Sequence, residues 1–152
     1  VCSSDLLKPF GQTFYWIVGM VEISSETIQK YSKYSTPKLK LKAQTVFNAW
    51  IRKRDEEQPC ISCPSYNTAH ASHFLSAGNY SFLRFNEDNC HASCVKCNTF
   101  LHGNLIEYRK RLIIKIGIER VEYLENMAAV HRTTKNDRFA FIEVCEKYKL
   151  NK

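Results

Sequence analysis

Apolar residues recur at three- and four-residue steps along much of this chain, which is the pattern of helices with one buried face. Leu39, Ala43, Val46, Phe47, Trp50 and Ile51 share one such stripe. Thr36-Pro37 predicts where this helix begins, with Thr as N-cap and Pro at the first helical position. Its end is expected near Asp55, ahead of Pro59. A second helix is expected to start close to Cys97, with Leu101, Leu105, Tyr108, Leu112 and Ile116 on its stripe. Lys110, Arg111 and Lys115 fall off that stripe toward solvent, and Gly117 is a natural stop. A third helix spans about Glu119 to His131, with Val121, Leu124 and Ala128 facing inward. A fourth is read as capped by Asn136, with Phe139, Ile142, Cys145 and Tyr148 as its stripe.

Strand signals are weaker. Phe14–Ile23 is rich in aromatic and β-branched residues, and Phe82–Phe85 reads as a short strand. The latter lies in an irregular stretch, 58–98, punctuated by Pro59, Pro64 and Gly78. The expected class is therefore α+β. Residues 1–36 form a poorly defined N-terminal segment. Residues 37–152 form one domain, with a helix, a core over about 58–104 and C-terminal helices. The opening VCSSDL resembles translated sequencing-adaptor DNA, so Cys2 is expected to be accidental and the native start missing.

Cysteine spacing sharpens the picture. Of seven cysteines, Cys60, Cys63, Cys94 and Cys97 form two C-x-x-C pairs on either side of residues 64–93. Each pair suits a tight knuckle with both thiolates turned to one ion, and two knuckles complete a tetrahedral structural zinc site. A redox C-x-x-C would sit at a helix start in a βαβ unit, and no such unit is visible. Cys90 is read as a small buried residue. A closed zinc site does no chemistry, so attention moves to the polar residues it would hold together: His70, His73, Asn89 and His91, then Asn98, His102 and Asn104 just beyond.

Charge and composition narrow the class further. With 152 residues, 44% hydrophobic and 24% charged, the chain has the make-up of one globular domain and not of a disordered one. The longest uncharged apolar run, Phe14–Val21, is far short of the roughly 20 residues a membrane span needs. It has one Lys before it and no cleavage site after it, so secretion is not expected. The net charge is +7, and between Lys30 and Arg54 there are eight basic residues and no acidic one. A solvated face usually mixes signs, so this run suits a polyanion. Lys38, Lys40, Lys42, Arg52, Arg54 and, further on, Arg84 are the candidate phosphate contacts.

The order is knuckle, His near a strand end, Asn on a loop, knuckle, then Asn at a helix start. It resembles the HNH, or ββα-metal, nucleases that carry a four-cysteine zinc scaffold, which are treble-clef-like. The blocks FNAWIRKRD (47–55), PCISC (59–63), ASHF (71–74), LRFNEDN (83–89), CVKCN (94–98) and GN…YR (103–109) are similar to those of the phage lambda NinG family, also called Rap, a recombination endonuclease. The likeness runs from about Lys38 to about Lys149. It implies a phage-encoded, metal-dependent endonuclease in the bacterial cytoplasm that acts on branched DNA such as Holliday junctions and D-loops. A homodimer would suit paired nicks across a junction.

Carried over by position, His73 would be the general base, Asn89 the brace of the loop that aligns it, and Asn98 a ligand of a catalytic Mg²⁺ or Mn²⁺. Many relatives have Asp where this chain has His70, and imidazole suits softer ions than a carboxylate does. His70 is thus either a ligand with altered metal preference or a bystander. His102, four residues after Asn98, is a further candidate ligand if both lie on one helix face. Ser72 replaces the family's usual Gly, and its cysteine-rich N-terminal segment has no visible counterpart. Two other readings share the zinc site. One is a DNA-binding zinc module without cleavage, and the other is a protein-interaction zinc ribbon, which leaves the basic run unexplained.

Overall fold

The computed structural model describes residues 23–150. A short helix, α1 (Ser25–Tyr31), is capped by the Ser24 hydroxyl, which accepts from the Thr27 amide. The long helix α2 (Thr36–Arg54) follows, and the expected stripe is its buried face: Leu39, Ala43, Phe47 and Ile51 are fully enclosed, with Val46 and Trp50 packed at the margin. Its N-cap is Ser35, one residue earlier than the Thr36-Pro37 signal implies. Pro37 still falls in the first turn, where a missing N–H costs nothing because no intrahelical acceptor exists for it.

The C-terminal helix α5 (Arg138–Lys147) lies against α2. Phe47 meets Tyr148 edge-on at 4.9 Å and Phe85 at 5.5 Å between ring centroids. The cap of α5 is Asp137, whose carboxylate accepts from the Ala140 amide. The expected cap, Asn136, instead donates to the Ser81 carbonyl. Ile142, Cys145 and Tyr148 of the expected stripe are buried, whereas Phe139, in the first turn, is exposed and Phe141 enters the core beside them. Tyr31 of α1 is buried in this same core, and the Arg138 guanidinium donates to the Tyr31 and Tyr34 carbonyls at 2.7 Å each.

A second core forms where α3 (Leu105–Ile116) and α4 (Ile118–Val130) pack as a pair. Tyr108, Leu112, Val121, Leu124 and Ala128 close on Ile61, Phe74 and Leu83. Gly117 joins the two helices at φ 88°, a left-handed conformation that favours glycine. The helix expected from Cys97 to Ile116 is broken. One π-type turn covers Lys96–Phe100, and His102, Gly103 and Asn104 all have positive φ before α3 begins. The break leaves Leu101 and Leu105 exposed and lets the Gly103 amide donate to the Cys97 carbonyl at 2.8 Å.

Two antiparallel strands, β1 (His70–His73) and β2 (Cys90–Ser93), form the one sheet among the described residues, pairing His70 with Ser93 and His73 with Cys90. The strand expected over Phe82–Phe85 is a 3₁₀ turn at Ser81–Leu83, because its amides bond back locally: Leu83 to Tyr80 and Arg84 to Ser81. Leu83 enters the second core and Phe85 the first, so this turn pins the two together. The strand expected over Phe14–Ile23 lies, but for Ile23, outside the described residues. No helix among the described residues is long and apolar enough to cross a membrane.

Asp55, the C-cap of α2, joins the parts. Its carboxylate accepts from Arg54 at 2.8 and 2.9 Å, from the Ala92 amide of β2 at 2.9 Å and from Lys115 of α3 at 3.3 Å. Lys115, expected to face solvent, is thus drawn back to a buried carboxylate. Burial works against the Asp55 charge, but hydrogen bonds from Arg54 and Ala92 and the nearby Arg54 and Lys115 charges outweigh it and hold the carboxyl at about 2.

Candidate active site

The sulfurs of Cys60, Cys63, Cys94 and Cys97 all lie within 4.8 Å of one another. A tetrahedral zinc with Zn–S bonds of about 2.3 Å requires sulfurs about 3.8 Å apart, and Cys63 and Cys94 stand at 3.7 Å. The four-cysteine cluster therefore fits a metal such as zinc. Donors already point at the sulfurs: the Ser62 amide at Cys60 and the Cys97 amide at Cys94, each at 3.4 Å, and the Asn104 amide group at Cys97, at 3.8 Å. Burial opposes ionisation of Cys60, but hydrogen bonds from the Cys94 backbone, the Ser93 hydroxyl at 3.5 Å and the Ser62 amide draw its thiol down to about 7. Asn104 also donates to the Ser62 carbonyl, and the Ser62 hydroxyl donates to the Gly103 carbonyl. The left-handed turn at 102–104 thus laces the second knuckle to the first. This gives Asn104 a place that its sequence position alone does not reveal.

The β1–β2 hairpin carries the candidate residues on two faces, because alternate side chains point to opposite sides of a strand. Ala71 and His73, opposite Ala92 and Cys90, face the α2 side. His70 and Ser72, opposite Ser93 and His91, face the knuckles and α3. His70 Nδ1 lies 3.0 Å from the Asn98 side-chain amide, so the structure brings these two proposed ligands together. His73 stands apart from them, three residues along the strand and on the other face. His102 is exposed at φ 49° in the turn after the helical segment of Asn98. The one-face argument that linked it to Asn98 fails, because the helix it assumed is interrupted there.

His73 is half-buried, and its Nε2 lies 2.8 Å from the Arg84 carbonyl. A carbonyl can only accept, so Nε2 carries the proton and Nδ1 keeps the lone pair. Burial pushes its pKa below the usual imidazole value, with the Arg84 charge adding to the shift and the carbonyl contact partly opposing it. Asn89 is fully buried, and its side chain closes the 74–89 loop. It donates to the Leu75 and Leu83 carbonyls at 2.9 and 3.0 Å and accepts from the Leu75 amide at 2.8 Å. His91 is buried against Tyr108, which donates to the Ser72 carbonyl at 2.9 Å. Burial, with the Lys115 and Arg54 charges, lowers His91 to about 3, so it is a neutral packing residue.

The basic residues divide. Lys38, Lys40 and Arg52 are exposed and Lys42 partly so. Arg54 is built into the fold: besides Asp55 it donates to the Glu87 and Cys90 carbonyls at 3.0 and 2.9 Å and lies over Trp50. Arg84 donates to Gln44 at 2.9 Å and to the Ala77 carbonyl at 2.7 Å. Both were expected at phosphates. Their guanidinium groups are instead held by intrachain acceptors, and neither the place of Arg54 in the basic run nor the sequence around Arg84 reveals such partners.

Residues 22–151 match the family model described as Bacteriophage Lambda NinG protein. The protein ninG of Escherichia phage lambda is 45% identical over 94 residues, covering 60% of this chain and 46% of that protein. Those of Escherichia phage 933W and Salmonella phage P22 are each 44% identical over the same length, covering 47% and 46% of their own chains. The chain spans about half the length of these curated relatives. No solved structure matches it.

Proposed function

Since the chain belongs to the bacteriophage lambda NinG family, we propose that it is a metal-dependent endonuclease of the HNH type that hydrolyses phosphodiesters in branched DNA. The observation that carries this reading is the state of His73. A neutral imidazole, anchored through Nε2–H on the Arg84 carbonyl, keeps Nδ1 ready to take a proton. In the proposed step Nδ1 receives a proton from water as the water oxygen bonds to phosphorus, and the bond from phosphorus to the 3′ oxygen breaks. The 3′ oxygen then takes a proton from solvent. Asn89 fixes both ends of the loop between His73 and Arg84, so the ring and its carbonyl anchor move as one unit. His70 and Asn98 are the residues that would hold a divalent ion. Such an ion, when bound, stabilises charge on the phosphate and the leaving oxygen. Lys38 and Arg52, which are exposed, and Lys42, which is partly so, supply attraction for the DNA backbone.

One observation favours the second reading, a zinc-dependent DNA-binding module that does not cut: His73 and the His70–Asn98 pair occupy opposite faces of the hairpin. The two are separated by a labelled four-way junction incubated with zinc-replete protein and added Mg²⁺ or Mn²⁺. His73→Ala should keep zinc and junction binding and lose about 10²–10⁴-fold in cleavage. Because burial lowers the His73 pKa, the parent's rate should fall on acidification only below the ordinary imidazole value of about 6.5. A His73→Ala protein that cuts at the parent's rate removes His73 from the mechanism. A parent that binds junctions and never cuts them establishes the binding-module reading.

A further inference from the structure

A cavity of about 280 Å³ opens between α1, the first half of α2 and the end of α5, and Lys30, Lys33, Lys42 and Lys149 surround it. A second hollow, of about 360 Å³ and lined by Lys38 and Leu41, shares Tyr34, Lys42 and Val46 with the first. These shared residues set the two hollows side by side, and together they are taken as one groove. Five lysines and one carboxylate, Glu146, line it. That carboxylate is already engaged, accepting from Lys30 at 2.6 Å and from Lys149 and Tyr31 at 2.7 Å. Lys33, Lys38 and Lys42 have no carboxylate partner among the described residues.

Two of these free ammonium groups are nonetheless held in place. Lys33 and Lys42 lie 5.6 and 5.7 Å from the centroid of the Tyr34 ring, whose negative face attracts both. Lysines ordered before binding lose less freedom when a ligand arrives. Lys38 and Lys42 stand one turn apart on α2, about 6 Å along its axis, so the positive charge repeats along the groove. A repeated row of point charges fits a polyanion better than a single small anion.

We propose that this groove is a docking channel for the phosphodiester backbone of a DNA duplex arm, with Lys33, Lys38 and Lys42 at the phosphates and Lys30 and Lys149 at its rim. The proposal deepens the nuclease reading and rests on it for the choice of DNA. It adds Lys33 and Lys149 to the phosphate contacts expected from the sequence. It also separates Lys42 from Lys40, which lines neither hollow.

The test is fluorescence anisotropy with a four-way junction and with linear duplex, on full-length zinc-replete protein and without added divalent ion. Salt is varied from about 50 to about 200 mM. Lys33→Gln/Lys42→Gln removes two contacts and should lower the log–log salt slope by about 1.8, so that roughly ten-fold of the affinity loss across that range disappears. Lys40→Gln should change the slope by less than half as much. An unchanged slope in the double variant overturns the groove, and so does a Lys40→Gln effect equal to that of the pair. Loss of binding to phosphatidylserine vesicles in the double variant, with DNA binding intact, makes the groove a lipid-headgroup site and overturns the proposal. Cleavage is read in a separate incubation with added Mg²⁺ or Mn²⁺: a parent that binds with the full slope and does not cut there sinks the nuclease reading alone, and a double variant that keeps both slope and cleavage sinks the groove alone.

Discussion

Replacing Asp55 with Asn tests whether one buried carboxylate holds the hairpin, α2 and α3 in register. The Asp55 side chain is only 4% exposed. Its pKa is held at about 2, against an ordinary value of 3.8. At about 1.4 kcal/mol per unit, the charged form is favoured in the fold by about 2.5 kcal/mol over the neutral one. Most of this belongs to the two Arg54 contacts and the Ala92 amide. The Lys115 contact is longer and about a third exposed, so solvent screens it. Asn retains an acceptor for the Ala92 amide but leaves the Arg54 guanidinium without its counter-charge, so Asp55→Asn should cost about 2–3 kcal/mol. Asp55→Ala also leaves the Ala92 N–H unpaired and should cost about 1–3 kcal/mol more.

Urea unfolding of zinc-replete protein at pH 7 measures both. A carboxyl whose folded pKa is depressed contributes its stability above its unfolded value and loses it as pH falls toward the folded one. The gap between parent and Asp55→Asn should therefore hold from neutral pH down to about 5 and narrow below about 4. A gap under about 1 kcal/mol at neutral pH, against the several expected on breaking a buried pair, would refute the reasoning. So would a gap that widens on acidification.

Two further outcomes follow from the metal positions. Metal analysis should find one zinc per chain, and Cys63→Ser or Cys97→Ser should abolish it and expose residues 58–104 to rapid hydrogen exchange, because metal binding in such sites is folding energy. Folded protein that contains no zinc would contradict this. His70→Asp places a carboxylate beside Asn98, and hard ions prefer oxygen ligands. Cleavage supported by Mg²⁺ should therefore rise relative to that supported by Mn²⁺, and an unchanged ratio would remove His70 from the metal site.

Much of this molecule is written in local patterns. An apolar stripe at helical spacing can be buried on only one side, so the inward residues of α2 and α4 follow from the sequence whatever they pack against. Two C-x-x-C pairs likewise announce a four-sulfur cluster, because each knuckle is a local turn and one ion demands both. The Gly117 stop is equally local, since a positive φ is tolerated by glycine at little cost. What periodicity does not carry is where backbone and charged groups find distant partners. The 102–104 turn breaks a helix that the apolar pattern continues, because the Gly103 and Asn104 groups bond to Ser62, 40 and more positions away in the chain. Arg54, at the end of a basic run, and Arg84, further on, look like free cations, yet carbonyls and side chains on other segments claim them. Asp55 ends a helix in the sequence and becomes the junction of three elements only when β2 and α3 arrive beside it. The lysine groove exists because α1 and α5 close around Tyr34. The separation of His73 from the His70–Asn98 pair exists because the hairpin register sends neighbouring side chains to opposite faces. Secondary structure depends on near neighbours, whereas the pairing of charges, the walls of a groove and the facing of a hairpin are set by contacts that only the folded chain makes.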